Sequence, residues 1–331
     1  MSSFEDLPTK TICISHNRDV DGIVTAAFIK HVSKCGIFLT DYDRVLQTLQ
    51  QVDGVTNLYI YDLGTNKETE FQFLQQLQQI VKKAGVCYID HHPINAAFTQ
   101  KLADIGVRVI HCKSDCAAAI TYELYKDKLP REAALLAACA AVTDDIEDGA
   151  ITKKLLRRYD RDLVLLEASI LSYAIAAKGE DEEFLLNLTE QLANFKLPHQ
   201  IPNLCQYACE YGQRMIDLSH RIVEEGVRMK NIAYMQTVER NLGSVANFLM
   251  GEFDVPVGVA YRYKEETGRY IVSLRSTNGF PPNLGELTSN TAALVEGIGG
   301  GHLNASGAVV PSNSITKFLE LLDESLTKLI H

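Results

Sequence analysis

Four short stretches of this sequence bring carboxylates and imidazoles together: HNRDVDG at 16–22, YDLG at 61–64, IDHHP at 89–93 and VTDD at 142–145. Taken singly, most have ordinary explanations. An Asp-x-Asp after a strand serves as a turn or a helix cap, and Asp62 before Leu-Gly is an ordinary turn residue. His91 and His92 behind Asp90 resist that explanation, because adjacent imidazoles fill no cap or turn role. Carboxylates gathered this densely repel one another and are driven toward the protonated form. Divalent cations remove the conflict, and a mixed imidazole and carboxylate set suits manganese, iron or zinc better than calcium or magnesium. Two such cations sharing one carboxylate make a clamp for phosphoryl transfer.

These residues need a frame that brings distant stretches to one place. KTICI (10–14), NLYIY (57–61), VCYI (86–89) and GVRVIHC (106–112) read as short strands. Between and after them lie helical patterns: GIVTAAFIKHV, FQFLQQLQQIVKKAG with Gly85 as its cap, SDCAAAITYELYKDK capped by Ser114, and PREAALLAACAAV. Strands alternating with helices predict a parallel sheet covered by helices. Ligands of such sheets sit at the carboxyl ends of the strands. The His16–Asp21, Asp62 and Asp90–His92 clusters all fall at such ends, so they are expected to form one site.

Residues 150–231 read as nearly all helical. A second α/β unit then begins near Ile232, with IAYMQTV, a helix around SVANFLMG, the pair VPVGVAYRY and RYIVSLRS, a helix in GELTSNTAALVEGI, the tract GGGHLNASGAVV and a last helix SITKFLELLDESLTKLI. The expected division is a parallel-sheet domain at 1–180, a helical linker at 181–230 and a smaller α/β domain at 231–331.

The chain has 331 residues and a formal net charge of −10, against a protein that tracks long DNA through a broad basic surface. No apolar run reaches the roughly 18 residues of a membrane span, and the N-terminus lacks a basic, apolar leader. Eight cysteines without a CxxC pair point to reduced thiols in a cytoplasm. His31, His111, His199, His220 and His331 are expected on the surface or in packing.

The ordered motifs resemble the DHH phosphoesterase family, with HNRDVDG as its first motif, YDLG its second, IDHHP its third and AVTDD its fourth. GGGHLNASG at 299–307, with SLRS at 273–276, is similar to the family's C-terminal domain as found in RecJ-type exonucleases and nanoRNases. The resemblance implies two divalent ions, most often Mn2+. One would take His16, Asp19 and Asp62. The other would take Asp21, Asp62, His91 and Asp144, with Asp62 bridging. It further implies that His92 sits beside the substrate phosphate and that Asp90 orients a histidine.

The glycine tract has a logic of its own. Gly299, Gly300 and Gly301 would let backbone amides approach an anion with no Cβ in the way. Arg275 and His302 would add charge-assisted bonds to a phosphate, and Asn304 is a further candidate contact. The expected activity is Mn2+-dependent hydrolysis of short oligonucleotides or linear dinucleotides. The rivals are a RecJ-like single-strand exonuclease with a helicase partner, a 3′-phosphoadenosine 5′-phosphate phosphatase, and a non-catalytic module of a replication complex. A homodimer is compatible with the sequence.

Overall fold

The computed structural model describes residues 11–64, 69–92, 94–239, 241–277, 279–280, 282–301 and 303–330. The chain divides into two compact units, Met1–Gly212 and Gln213–His331.

The first unit opens with β1 (Thr11–His16), α1 (Val20–Ser33), β2 (Gly36–Thr40), α2 (Val45–Gln50) and β3 (Asn57–Tyr61). There follow α3 (Glu70–Ile80), β4 (Gly85–Asp90), α4 (Ala96–Asp104) and β5 (Arg108–His111). The remaining helices are α5 (Ala117–Tyr125), α6 (Glu132–Thr143), α7 (Ala150–Leu156), α8 (Arg161–Lys178) and α9 (Glu182–Ala193), and α10 (Leu204–Glu225) crosses the division. The five strands form one parallel sheet in the order β2-β1-β3-β4-β5. Strand order reverses between β1 and β3, and that reversal opens the crevice where doubly wound sheets hold ligands. His16 ends β1, Asp62 follows β3, and Asp90 ends β4, next to it.

The sheet is covered by apolar residues on both faces. Ile12, Ile14, Leu58, Ile60 and Val86 pack with Phe73, Leu77, Phe98 and Leu102 of α3 and α4. Helices α1 and α6 are nearly apolar all round, as fully enclosed helices are. Their Val20, Ile23, Val24, Leu136 and Ala140 join α8 and α9 in the largest core. Helix α9 is tied directly to α1: Lys30 Nζ lies 2.9 Å from Glu190, and His31 Nδ1 donates to the Ala193 carbonyl at 3.1 Å.

Three local readings change. GIFLT is a strand, β2, where the sequence reading had none; five residues beside a charged turn leave little periodicity. Gly85 opens β4 instead of capping α3, whose last turn ends at Val81. Ser114 does not cap α5. The N-cap residue is Cys116, and its missing side-chain bond is supplied from elsewhere by Asp21.

The second unit carries the end of α10, β6 (Val227–Arg228), β7 (Ile232–Gln236), α11 (Leu242–Phe253), β8 (Val257–Lys264) and β9 (Arg269–Ser276). It continues through α12 (Leu284–Ala293), β10 (Ile298–Gly301), β11 (Ala305–Pro311) and α13 (Ile315–Ile330). Its six-stranded mixed sheet runs β10-β11-β9-β8-β7-β6. Val257, Val259, Val272, Leu274 and Val310 pack against Leu284, Phe318, Leu322 and Leu326. Leu218 and Ile222 of α10 pack with Val245, Ala246 and Leu249 of α11.

Candidate metal centre

The HNRDVDG stretch makes a tight turn from β1 into α1. Asp19 is the helix cap, its Oδ1 accepting from Gly22 N at 3.0 Å, and its Oδ2 lies 2.6 Å from His16 Nδ1. Gly22 is required here: a Cβ would stand 2.3 Å from the His16 carbonyl oxygen. Asp21 is fully buried. Its carboxylate accepts from Ala117 N at 2.8 Å and Ala118 N at 2.7 Å, so it closes the start of α5 while facing His91 Nε2 at 3.6 Å.

Asp62 sits just past β3 with φ +54, a left-handed conformation that aspartate tolerates better than most residues. It is 1 % exposed. Its Oδ1 lies 3.2 Å from His91 Nε2 and its Oδ2 lies 3.8 Å from His16 Nδ1, so one carboxylate reaches both halves of the site. Gly64 of the same motif lets the chain pass close to His92, whose Cβ would be 3.2 Å from a Cβ at position 64.

Asp90 ends β4 and is fully buried. Its Oδ1 accepts from His91 N (2.8 Å), His92 N (3.2 Å) and His92 Nδ1 (2.8 Å), and the Tyr88 hydroxyl donates to Oδ2 at 2.7 Å. Three of these four bonds hold the histidine pair. His111, at the end of β5, also supports them: its Nε2 donates to the His92 carbonyl at 2.7 Å. His111, expected on the surface or in packing, is half-buried and makes this bond to the loop of the histidine pair. Asp144, at the C-terminus of α6, brings Oδ2 within 3.3 Å of His91 Nε2.

Three groupings of donor atoms lie close enough to hold an ion: His16, Asp19 and Asp62; Asp21, His91 and Asp144; and Asp62, Asp90, His91 and His92. The third includes Asp90, already engaged by four donors. In the first two, His16 Nε2, Asp62 Oδ2 and Asp144 Oδ2 are buried with no hydrogen-bond partner. Buried polar atoms seldom stay unpaired, and a mixed imidazole and carboxylate set with spare lone pairs fits divalent cations.

The electrostatics agree. Burial, reinforced by Asp19 and Asp21, raises Asp62 well above the carboxylate range. Burial and then Asp21 and Asp19 raise Asp144 to about 9. Burial would lower His16, but Asp19 and Asp41 outweigh it and raise the imidazole to about 9. Burial lowers His91, whereas in His92 the Asp90 carboxylate overcomes burial and raises it. The protein thus concentrates more carboxylates than it can keep ionised unaided.

Sequence reasoning missed Tyr42. It lies in the turn after β2, with its hydroxyl 2.9 Å from His92 Nε2 and its ring 4.5 Å from that of His16. Recognising GIFLT as a parallel strand would have flagged the residues after Thr40 as a strand end at the same edge.

In the second unit, Gly299–Gly301 form the edge strand β10, paired with β11 at Gly300↔Gly307. The tract is thus a strand, and it packs under α12. A Cβ at Gly299 would stand 3.0 Å from Thr288 atoms, and one at Gly285 of α12 would stand 2.4 Å from the Gly301 carbonyl oxygen. Gly300 alone has open space around its Cβ position. Arg275, near the end of β9, donates from Nη1 to the Leu274 carbonyl at 3.0 Å and to Ser273 Oγ at 3.3 Å. No ion pair to it occurs among the described residues, and burial lowers its pKa. The Asn304 carbonyl accepts from Ser276 N at 3.0 Å. His302 lies outside the described residues.

A parallel sheet with the DHH triplet at a strand end, followed by a mixed-sheet unit, defines a class of fold, and known proteins share it. Residues 230–328 match the DHHA1 domain family. The pGpG-specific phosphodiesterase PggH of Vibrio cholerae superposes with a TM-score of 0.61 at 14% identity, over 96% of this chain and 99% of that one. A DHH domain ascribed to a member of the s1p family of ribosomal proteins gives 0.69 at 14% identity, over 96% and 86%. RecJ of Thermus thermophilus, in complex with Mn2+, gives 0.63 at 14% identity; 96% of this chain covers 52% of that one. No curated protein sequence matches the chain. The chain therefore shares the two-unit fold of these proteins, and residues 230–328 of its second unit match the DHHA1 domain family.

Proposed function

We propose that this protein is a metal-dependent phosphodiesterase that hydrolyses short oligonucleotides or linear dinucleotides to mononucleotides. The observation that carries the reading is Asp62, a buried carboxylate with one oxygen toward His91 and the other toward His16. His16, Asp19 and Asp62 would hold one divalent ion, and Asp21, His91, Asp144 and Asp62 the other, with Mn2+ the favoured metal. When bound, the ions supply the positive charge that offsets crowded carboxylates and the Lewis acidity that phosphoester cleavage requires.

The chain's own residues do the rest. Asp90 keeps a proton on His92 Nδ1 and fixes the ring. The raised pKa of His92 favours an imidazolium able to donate from Nε2 to a phosphate or leaving-group oxygen. Arg275, whose guanidinium forms no ion pair among the described residues, binds a remote part of the substrate, together with Gly299, Gly300, Gly301, His302 and Asn304.

Short substrates are favoured for two reasons. A net charge of −10 suits a small pocket better than a long basic channel. PggH, named for pGpG, matches this chain over 99% of its own length. A reducing, cytoplasmic setting belongs to the same reading, because all eight cysteines are free. No helix among the described residues is long and apolar enough to cross a membrane.

The test is turnover of the Mn2+-loaded protein on a dinucleotide and on oligonucleotides of increasing length. The rate should fall beyond a few residues. Faster, processive degradation of a long single strand would replace this reading with the RecJ-like exonuclease.

A further inference from the structure

Tyr42 has no part in the ligand sets above, yet one side chain touches two of the motifs. Its ring lies 4.5 Å from His16, tilted by 35°, and meets the His92 ring edge-on at 5.6 Å. Its hydroxyl is 2.9 Å from His92 Nε2. The turn beneath it is well fixed. Tyr42 N donates to Asp41 Oδ1 at 2.7 Å, Arg44 N donates to the Asp41 carbonyl at 3.0 Å, and Arg18 Nε donates to Asp41 Oδ2 at 2.8 Å. The residue as a whole remains 38 % exposed, so it stands at the solvent side of the centre.

The hydrogen bonds define what the hydroxyl does. A carboxylate only accepts, so His92 Nδ1, 2.8 Å from Asp90 Oδ1, carries a proton. Nε2 is then the one polar atom of the ring left for a ligand. In the neutral ring the Tyr42 hydroxyl donates to it; in the imidazolium Nε2 donates to the hydroxyl. Either way both ring nitrogens are held, and the imidazole cannot rotate about its Cβ–Cγ bond without breaking two hydrogen bonds. An oxygen of a phosphate bound to Nε2 would occupy the place the Tyr42 hydroxyl now takes.

We propose that Tyr42 is a positioning residue of the phosphodiesterase centre: its hydroxyl holds His92 Nε2 aimed at the site until a substrate phosphate oxygen takes that bond, and its ring covers His16. The proposal rests on the function proposed above, and the two halves of the side chain can be separated by substitution. Tyr42→Phe keeps the cover over His16 and removes the bond to His92. Tyr42→Leu removes both.

Three measurements on the full chain decide it. Long-range proton–nitrogen NMR of the metal-free protein reads the His92 Nε2 resonance. Titration with Mn2+ reads metal affinity. Steady-state kinetics on pGpG separate kcat from KM. Tyr42→Phe should shift the His92 Nε2 resonance, leave Mn2+ affinity within about twofold, and lower kcat by about 3- to 10-fold without raising KM. Tyr42→Leu should in addition weaken Mn2+ binding by about tenfold or more, as loss of groups behind metal ligands commonly does. An unmoved Nε2 resonance in Tyr42→Phe, or wild-type Mn2+ affinity in Tyr42→Leu, would overturn the proposal. So would equal loss of Mn2+ affinity in both variants, because the ring and hydroxyl would then share one role. If the wild-type protein leaves pGpG intact, the substrate reading fails, while the NMR and Mn2+ arms still decide Tyr42.

Discussion

The centre of the first unit and the glycine tract of the second were both conspicuous in sequence, but they stand in the fold for opposite reasons. At the centre, Asp62 is buried with a carboxylate oxygen that makes no hydrogen bond, Asp144 is raised to about 9, and His16 keeps a ring nitrogen without a hydrogen-bond partner. Packing alone gives no reason to collect such groups; hydrophobic replacements would avoid their desolvation. In the tract, packing does give the reason. Gly299 lies against α12, where a Cβ would stand 3.0 Å from Thr288, and a Cβ at Gly301 would stand 2.5 Å from the Ala305 carbonyl oxygen of β11. The lesson is to ask of each motif whether the fold alone would choose it. The four motifs of the first unit fail that question and so point to a ligand, whereas two of the three glycines pass it.

Asp62 is where that contrast breaks most completely. Asp62→Ala should abolish cleavage and strip Mn2+ from the protein, with far-ultraviolet circular dichroism unchanged, because the apolar sheet core does not involve the carboxylate. Retained turnover with Mn2+ still bound at full stoichiometry would remove Asp62 from the centre.

The histidine pair gives the next largest effect. His91→Ala should lower Mn2+ content, since its Nε2 faces Asp21, Asp62 and Asp144. His92→Ala should keep the metals and slow turnover by about 10²–10⁴-fold, the range for a general acid. Equal metal loss in both variants would erase the distinction.

Arg275 tests the other side of the comparison. Arg275→Ala should raise KM or lower kcat for a dinucleotide by about 10- to 100-fold, the worth of a charge-assisted bond. Hydrolysis of bis(p-nitrophenyl) phosphate, which lacks the remote group, should be nearly unchanged. Gly300→Ala sharpens this further. Its Cβ meets nothing within 4 Å, so stability should stay within about 0.5 kcal/mol. A loss of dinucleotide affinity at unchanged Tm would then mean that the tract also approaches substrate.

The smallest effect is a pH dependence. Asp144 and His16 are both raised to about 9, and Asp62 and His92 are raised as well. Each binds protons more tightly folded than unfolded, so its contribution is full at acid pH and is lost as pH climbs through the folded value. Asp19 and Asp90 are lowered, and their contribution is complete well below neutrality. Calorimetry of the metal-free protein should show Tm falling by a few degrees between about pH 7 and about pH 9, and saturating Mn2+ should flatten the slope. A metal-free Tm that rises over this interval contradicts the assignment of crowded, proton-holding carboxylates.

Much of this was legible in the sequence, because strand ends carry their chemistry in short local motifs. Four of the five parallel strands and the hairpin of β8 and β9 around Glu265–Gly268 could be read directly. What could not be read depended on partners far along the chain. Asp21 caps a helix 96 residues away, which hid the start of α5 from local rules. His111 supports the DHH loop through a backbone carbonyl 19 residues back. Tyr42 follows a strand too short to announce itself and meets His92 50 residues later. Gly85 resembled a helix cap because a glycine after an amphipathic run looks the same whether the helix ends there or a strand begins.

We propose that Asp62 would be shared by two divalent ions at the carboxyl ends of β1, β3 and β4. Anomalous diffraction at the manganese edge, from crystals of the full chain grown with Mn2+, tests it directly. Two peaks are expected, one among His16, Asp19 and Asp62 and one among Asp21, His91 and Asp144, with Asp62 contacting both. No peak, or a single peak against Asp90 and His92, would contradict it.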